Sequence, residues 1–267
     1  LAGAGDTNSR SGALRGILAT SGYQSNVNGH TPKTDLFAAA LLNGINAHTL
    51  ELDDGHRYGM VHPGATVIAA LLPLASSINA NDLDLLRAIV VGYEAAIKIA
   101  IAVQPGMKHR GYHATGTCGA LGAAMGAGFL LKQNKNALHT TLCVAATQAA
   151  GLLQVIKNGS DLKPFNAGQA ALNGLVAATM GQAGYTGPPD VFSGEHGLLS
   201  MLSDQLNISE LTTMNTKAAA IHGIYVKPYA ACRHCHPAIE AALQLRECQE
   251  FDVKKIQSIR VETYALA

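Results

Sequence analysis

From Thr34 to Cys248, apolar residues recur three and four positions apart in segment after segment, a period that brings them onto one face only in a helix. Thr34 is the expected N-cap of the first segment, which carries Leu36, Ala39, Ala40, Asn43, Ala47 and Leu50. Pro63 suits the first position of a second helix running through Val67 to Leu72. Asn81 or Asp82 caps a third, with Leu85, Ile89, Val90, Tyr93 and Ile97 on its apolar side. Residues 115–131, 136–153, 166–183 and 237–248 complete the set. Of 267 residues, 48% are apolar and only 14% charged, so these helices share a large core and each clustered charge is informative. The expected fold is mainly α, one large all-helical domain.

Two stretches stand apart. Residues 1–33, punctuated by Gly, Ser, Asn and Thr, read as loops with one weak helix. Ile256 to Tyr264 alternates apolar and polar residues and reads as a strand. One strand is not a stable sheet, so the expectation is a helical domain over residues 1–250 and, over 251–267, the first strand of an α/β lid domain that this sequence does not complete. Within the helices, Gly116, Gly119, Gly122, Gly126 and Gly128 would each cost about 1 kcal/mol relative to Ala on an exposed face. Close approach of neighbouring helices is the expected compensation, since neither a dinucleotide fingerprint nor a Walker sequence is present.

Several function classes drop out. A net charge of +1 leaves no electrostatic footprint for nucleic acid or an acidic membrane surface. Apolar runs such as Ala65 to Ala75 fall short of the ~18–20 residues that span a bilayer. The five cysteines are odd in number and scattered, unlike a disulfide framework. With no secretory signal pattern at the start, the expected location is the cytoplasm, or the mitochondrial matrix in a eukaryote.

Four stretches could carry chemistry. The first runs from His48 to Pro63 and contains Glu51, Asp53, Asp54, His56, Arg57 and His62. Glu51 and Asp54, three apart, would share the face of a helix end, where the macrodipole disfavours negative charge. His62 precedes a proline, is pushed out of helical geometry and stands just before a helix start, which favours the neutral imidazole that accepts protons. His48 reads as a packed helix histidine, and His56 and Arg57 as solvated residues or partners of the acids. A metal site from Asp53, Asp54, His56 and His62 matches no closed ligand spacing. In the second stretch His113 repeats the arrangement before a helix capped by Thr115, and two such imidazoles would form an acid/base pair if their ends converge.

The third stretch places Lys157 and Lys163 around a Gly-Ser pair, Lys163 before Pro164 at the start of an Ala-rich helix. A lysine there can hold a carboxylate beside helix N–H groups. The fourth holds Lys227, Cys232, Arg233, Cys235, His236 and Pro237. Its Cys-x-x-Cys-His pattern is set aside as haem attachment, which requires export, and as zinc ligation, which requires a second ligand pair. The simpler reading is a further helix start, His236 at the cap, supplied with positive charge by Lys227 and Arg233.

Taken in order, these stretches resemble the MmgE/PrpD superfamily of 2-methylcitrate dehydratases and cis-aconitate decarboxylases. The matching pieces are Asn46-Ala-His48 with Glu51 to Asp54 and His62-Pro-Gly, then His113-Ala-Thr-Gly-Thr-Cys-Gly-Ala, then Lys163-Pro-Phe-Asn-Ala-Gly-Gln-Ala-Ala. Gly184-Tyr-Thr-Gly-Pro, Lys227-Pro-Tyr and His236-Pro-Ala-Ile-Glu follow, so the pieces span nearly the whole chain. The resemblance implies a helical domain with a smaller α/β lid, a homodimer, no metal and no cofactor. It also implies a cleft for di- or tricarboxylates, with His62, His113, Asp54 and Lys163 as catalytic residues. Glu51, Lys163, Lys227, Arg233 and His236 would bind the substrate. Two departures stand out: Glu51 where the family's acidic motif usually starts with Asp, and Gly55 where decarboxylases tend to have a hydroxyl residue.

The implied activity is a metal-independent lyase of the 2-methylcitrate dehydratase type. A histidine removes a proton alpha to a carboxylate, lysines stabilise the enediolate, and the second histidine or an acid protonates the departing hydroxyl. A cis-aconitate-type decarboxylase, an iminodisuccinate-type epimerase and a non-catalytic carboxylate-binding or scaffold protein are the alternatives.

Overall fold

The computed structural model describes residues 25–27, 30–157, 160–213, 218–248 and 252–263. It is mainly α, as the apolar period requires. The expected weak helix before residue 25 lies outside the described residues, and residues 25–34 form a short antiparallel hairpin, β1 (Ser25–Val27) and β2 (His30–Thr34). Thr34 therefore ends a strand, and Asp35 takes the cap of helix α1 (Leu36–Thr49), its carboxylate accepting from the N–H groups of Phe37 and Ala38.

The next helices are α2 (Gly64–Ser77), α3 (Asp82–Val103), the short α4 (Gly106–His109) and α5 (Ala114–Leu130). They are followed by α6 (Lys135–Gln148), α7 (Lys163–Gln182), α8 (Leu198–Leu202), α9 (Ile208–Thr212) and α10 (His236–Glu247). Asn81 caps α3 as expected, and Asn134 caps α6, its side chain accepting from the Ala137 N–H.

Helices α5 and α7 pack on each other at the centre, with α3 and α2 against α5, and α1 and α6 against α7. Almost every residue of α5 is buried. The glycine series does what its cost demanded. A Cβ on Gly122 would stand 2.6 Å from that of Ala96 and 2.7 Å from the carbonyl of Gly92, so α3 and α5 touch backbone to backbone. Gly44 on α1 and Gly168 on α7 repeat the device, a Cβ on Gly44 falling 2.6 Å from the Gly168 Cα. No helix is long and apolar enough to cross a membrane among the described residues.

A second small ribbon positions the site. Strand β3 (Asp54–His56) pairs antiparallel with β4 (Ile224–Val226), Asp54 opposite Val226 and His56 opposite Ile224. The Lys227 N–H continues the ladder to the Asp53 carbonyl at 3.2 Å. The strand expected at the end of the chain does not form among the described residues. Residues 256–263 run without ladder partners and expose Ile259 and Val261, because alternation supplies an apolar face but not the hydrogen-bonding neighbour a strand requires.

Candidate active site

Helix α1 stops at Thr49, and Glu51 follows in the left-handed region (φ 53). Glu51 and Asp54 therefore do not share a helix face. The turn throws the carboxylates of Glu51, Asp53 and Asp54 in different directions, and a non-glycine residue in such a conformation marks a segment that its surroundings over-determine. Asp54 is turned away from its neighbours, its carboxylate accepting the Gly64 N–H at the start of α2 at 3.0 Å and bonding the Tyr93 hydroxyl of α3. Burial, reinforced by the Asp53 charge and opposed by these hydrogen bonds, raises its pKa to about 6.

Asp53 turns inward. One oxygen lies 2.6 Å from His48 Nδ1 and 3.7 Å from His62 Nδ1, the other 2.9 Å from Lys227 Nζ. Burial alone would raise its pKa, but the His48 hydrogen bond and the surrounding cations hold it well below the usual carboxylate range. Glu51 bridges the two lysines, one oxygen on Lys163 and the other 2.6 Å from Lys227 Nζ. Burial works against its charge, and the hydrogen bonds from Lys163 and Lys227 outweigh it to leave a pKa of about 2. Lys227, its side chain wholly buried, remains charged because Asp53 and Glu51 offset its desolvation. Lys163 is the first residue of α7 rather than the residue before it.

The two helix-start histidines converge here, and their partners assign opposite tautomers. His62 Nδ1 lies 2.6 Å from the Asp54 carbonyl. A carbonyl only accepts, so Nδ1 carries the proton and Nε2 is left with a lone pair. The main chain of His62 is pinned by its N–H to the Thr115 hydroxyl at 3.2 Å. His113 Nδ1 lies 3.1 Å from Asn166 Nδ2, and the same amide nitrogen donates to the Leu152 carbonyl at 3.4 Å. That second bond orients the amide, so His113 Nδ1 accepts and its proton sits on Nε2. Burial pushes both imidazoles down, to about 4 for His62 and about 3 for His113, with neighbouring cationic groups adding to the effect. Both are therefore neutral at physiological pH, one an acceptor and one a donor. The ring of His48 lies 5.1 Å from that of His62 and 6.1 Å from that of His113.

The remaining candidates stand further out. The Arg233 guanidinium lies 5.3 Å over the ring of Tyr225, which in turn covers Gly55 across the ribbon. His236 is buried at the first position of α10, its Nε2 3.1 Å from the Ala231 carbonyl and its ring edge-on to Tyr229. Cys235, not His236, is the cap. Sequence reasoning passed over His48, Asp53, Tyr93 and Asn166. His48, Asp53 and Asn166 each carried a signal through their places in the Asn46-Ala-His48, Glu51 to Asp54 and Lys163-Pro-Phe-Asn motifs. Among the described residues no group of three or more His, Cys, Asp and Glu side chains is arranged to hold a metal ion. A cavity of about 270 Å³ is lined by Asn166 with Gly116, Leu152, Phe165 and Asn173.

Residues 5–211 match the model of the MmgE/PrpD N-terminal domain and residues 229–267 that of the MmgE/PrpD C-terminal domain. A cis-aconitate decarboxylase-like protein of Aspergillus oryzae is 31% identical over 247 residues, 86% of this chain and 51% of the relative. The cis-aconitate decarboxylase of Aspergillus terreus is 28% identical over 232 residues, 82% of this chain and 47% of the relative. The human cis-aconitate decarboxylase is 28% identical over 165 residues, 60% of this chain and 34% of the relative. The chain thus spans about half the length of the first two relatives and less of the human one.

Proposed function

Because this chain belongs to the MmgE/PrpD family, we propose that it acts as a lyase on a small di- or tricarboxylate, taking a proton alpha to a carboxylate and releasing water. The observation that carries this reading is the pair of neutral histidines of opposite tautomer beside two ammonium groups. Elimination of water needs a proton acceptor and a hydrogen-bond donor at the same moment, which such a pair supplies.

In the proposed sequence His62 Nε2 takes the proton from the alpha carbon, and the electron pair of the broken C–H bond spreads into an enediolate. Lys163 and Lys227 stabilise that charge, and His113 Nε2–H donates a hydrogen bond to it. His113 keeps its proton, because a neutral imidazole is a very weak acid. The carbon–oxygen bond then breaks as the double bond forms. The proton held on His62 passes to the leaving hydroxide, which departs as water and returns His62 to neutrality. Asp54 contributes through its carbonyl, which orients His62, while its carboxyl secures the start of α2.

The lysine pair is already occupied by Glu51. Lys163 and Lys227 against Glu51 and Asp53 leave the seat with no net charge to attract a polyanion. A substrate carboxylate is therefore proposed to take the place of the Glu51 carboxylate, whose strained backbone eases its departure.

The names of the relatives favour a second reading, decarboxylation. The same lysines would stabilise the carbanion left by loss of carbon dioxide, and a proton donor would finish the reaction. Proton NMR in D2O with 2-methylcitrate, citrate, cis-aconitate and iminodisuccinate separates the possibilities. Alkene signals arising from a hydroxy acid are expected. Decarboxylation of cis-aconitate alone would install the second reading, and deuterium exchange alone an epimerase. No change, together with no thermal stabilisation by any of these acids, would leave a scaffold and overturn the proposal.

A further inference from the structure

Three histidine rings meet at this site, and the acid–base reading uses two. His48 is fully buried at the end of α1, and its Nδ1 lies 2.6 Å from the Asp53 carboxylate. That carboxylate is itself held by Lys227 and stays ionised, so it accepts and the His48 proton resides on Nδ1. In the neutral ring with its proton on Nδ1, Nε2 on the far edge is an acceptor. It is buried and meets no hydrogen-bond donor among the described residues. A buried polar atom without a partner is costly and uncommon, and a histidine serving only to fill space has no need of a carboxylate to set its tautomer. An imidazole so oriented is the arrangement by which a carboxylate presents the opposite nitrogen to a ligand.

The neighbours narrow what that ligand group can be. The rings of His62 and His113, the proposed proton acceptor and donor, lie 5.1 and 6.1 Å from the ring of His48, so the three rings share one small space. The lysine donors are directed to Glu51 and Asp53. Carboxylates of a bound acid only accept at neutral pH and serve the lysines, not His48. On a hydroxy acid of the proposed class only the O–H group donates, so that group is the one that completes His48.

We infer that His48 is a substrate-contacting acceptor that receives a hydrogen bond from an O–H group of the bound acid, with Asp53 as the residue that positions it. The inference rests on the carboxylate-site reading above and adds to it a means of discrimination. A site built to accept from a hydroxyl rejects the analogue that lacks it, because the buried acceptor is then left unpaired.

Calorimetric titration of the protein with citrate and with tricarballylate tests this, since the two acids carry the same three carboxylates and differ by one hydroxyl. The wild type is expected to bind citrate about tenfold more tightly. His48→Asn retains a donor toward Asp53 but has nothing at the ε position, so the preference should fall to about onefold while tricarballylate binding is kept. His48→Gln, whose amide reaches the ε position, should restore part of the preference. A structural role moves neither ratio. Equal affinity of the wild type for the two acids, or parallel loss of both in His48→Asn, overturns the role of His48 and leaves the carboxylate site standing. Failure of the wild type to bind either acid overturns the underlying reading instead.

Discussion

Helices α5 and α7 on one side and the charged cluster beside the β3–β4 ribbon on the other are both buried, yet they are built from opposite materials. The helix pair is rich in glycine and alanine, packed so closely that a methyl added on Gly174 would lie 2.5 Å from that of Ala123, and one on Gly168 2.4 Å from the Leu41 carbonyl of α1. The ribbon and the turn before it bury Asp53, Lys227 and His48, groups that are costly to take out of water. The first arrangement tolerates no extra volume, the second no missing partner. The difference teaches that the glycines and alanines of the helices form a wall that answers to packing, while Thr115, Lys163 and Asn166 at the helix starts serve the site. The polar turn, in contrast, is set by chemistry and held together by contacts between residues far apart in the chain.

Breaking the polar side should have the largest effect on folding. Lys227→Met leaves Glu51 and Asp53 buried without their shared cation and is expected to cost about 3–5 kcal/mol. Denaturant unfolding should show that loss, and adding Glu51→Gln should recover part of it. If Lys227→Met alone unfolds like the wild type, the cluster does not carry the stability assigned to it. His62→Gln separates chemistry from folding. Turnover in the NMR assay should fall about 10²–10⁴-fold while Tm stays near that of the wild type. A large fall in Tm with little loss of turnover would make His62 a packing residue.

The helix wall responds in the reverse sense. Gly168→Ala forces a methyl against fixed backbone and should cost about 1–3 kcal/mol, lowering Tm by about 2–4 °C for each. It should act without altering the preference between citrate and tricarballylate, and a change in that preference would mean that wall and site are coupled. Smallest is Glu51→Gln, which vacates both ammonium groups. Tricarballylate should then bind more tightly, by about tenfold or less. Weaker binding would show that Glu51 helps to hold the substrate rather than yielding its place.

How much of this could be read from the sequence follows the same division. Helical period exposed the wall, and the glycine series announced close approach before any neighbour was known. His62 before Pro63 and His113 before α5 were legible because a helix start is a local signal. The pairing of His48 with Asp53 was not, since it depends on where α1 stops and on Lys227, which arrives 174 residues later. The left-handed turn at Glu51, which separates Glu51 from Asp54, has no glycine or asparagine to announce it. Arg233 and His236 were drawn in by their charge, whereas the structure gives them an aromatic ring and a local carbonyl as partners.

The central claim is that His62 and His113 are neutral and carry their protons on opposite nitrogens. Because burial lowers both pKa values below the ordinary 6.5, to about 4 and about 3, the fold favours the neutral forms. Their contribution to stability is present above pH 6.5 and is lost as pH falls through those values. Nitrogen-15 correlation spectra of the histidine side chains at pH 7 and pH 5.5 read this directly. The account predicts a neutral Nδ1–H form for His62 and a neutral Nε2–H form for His113 at both pH values. An imidazolium at either position at pH 7, or the same tautomer at both, would contradict it.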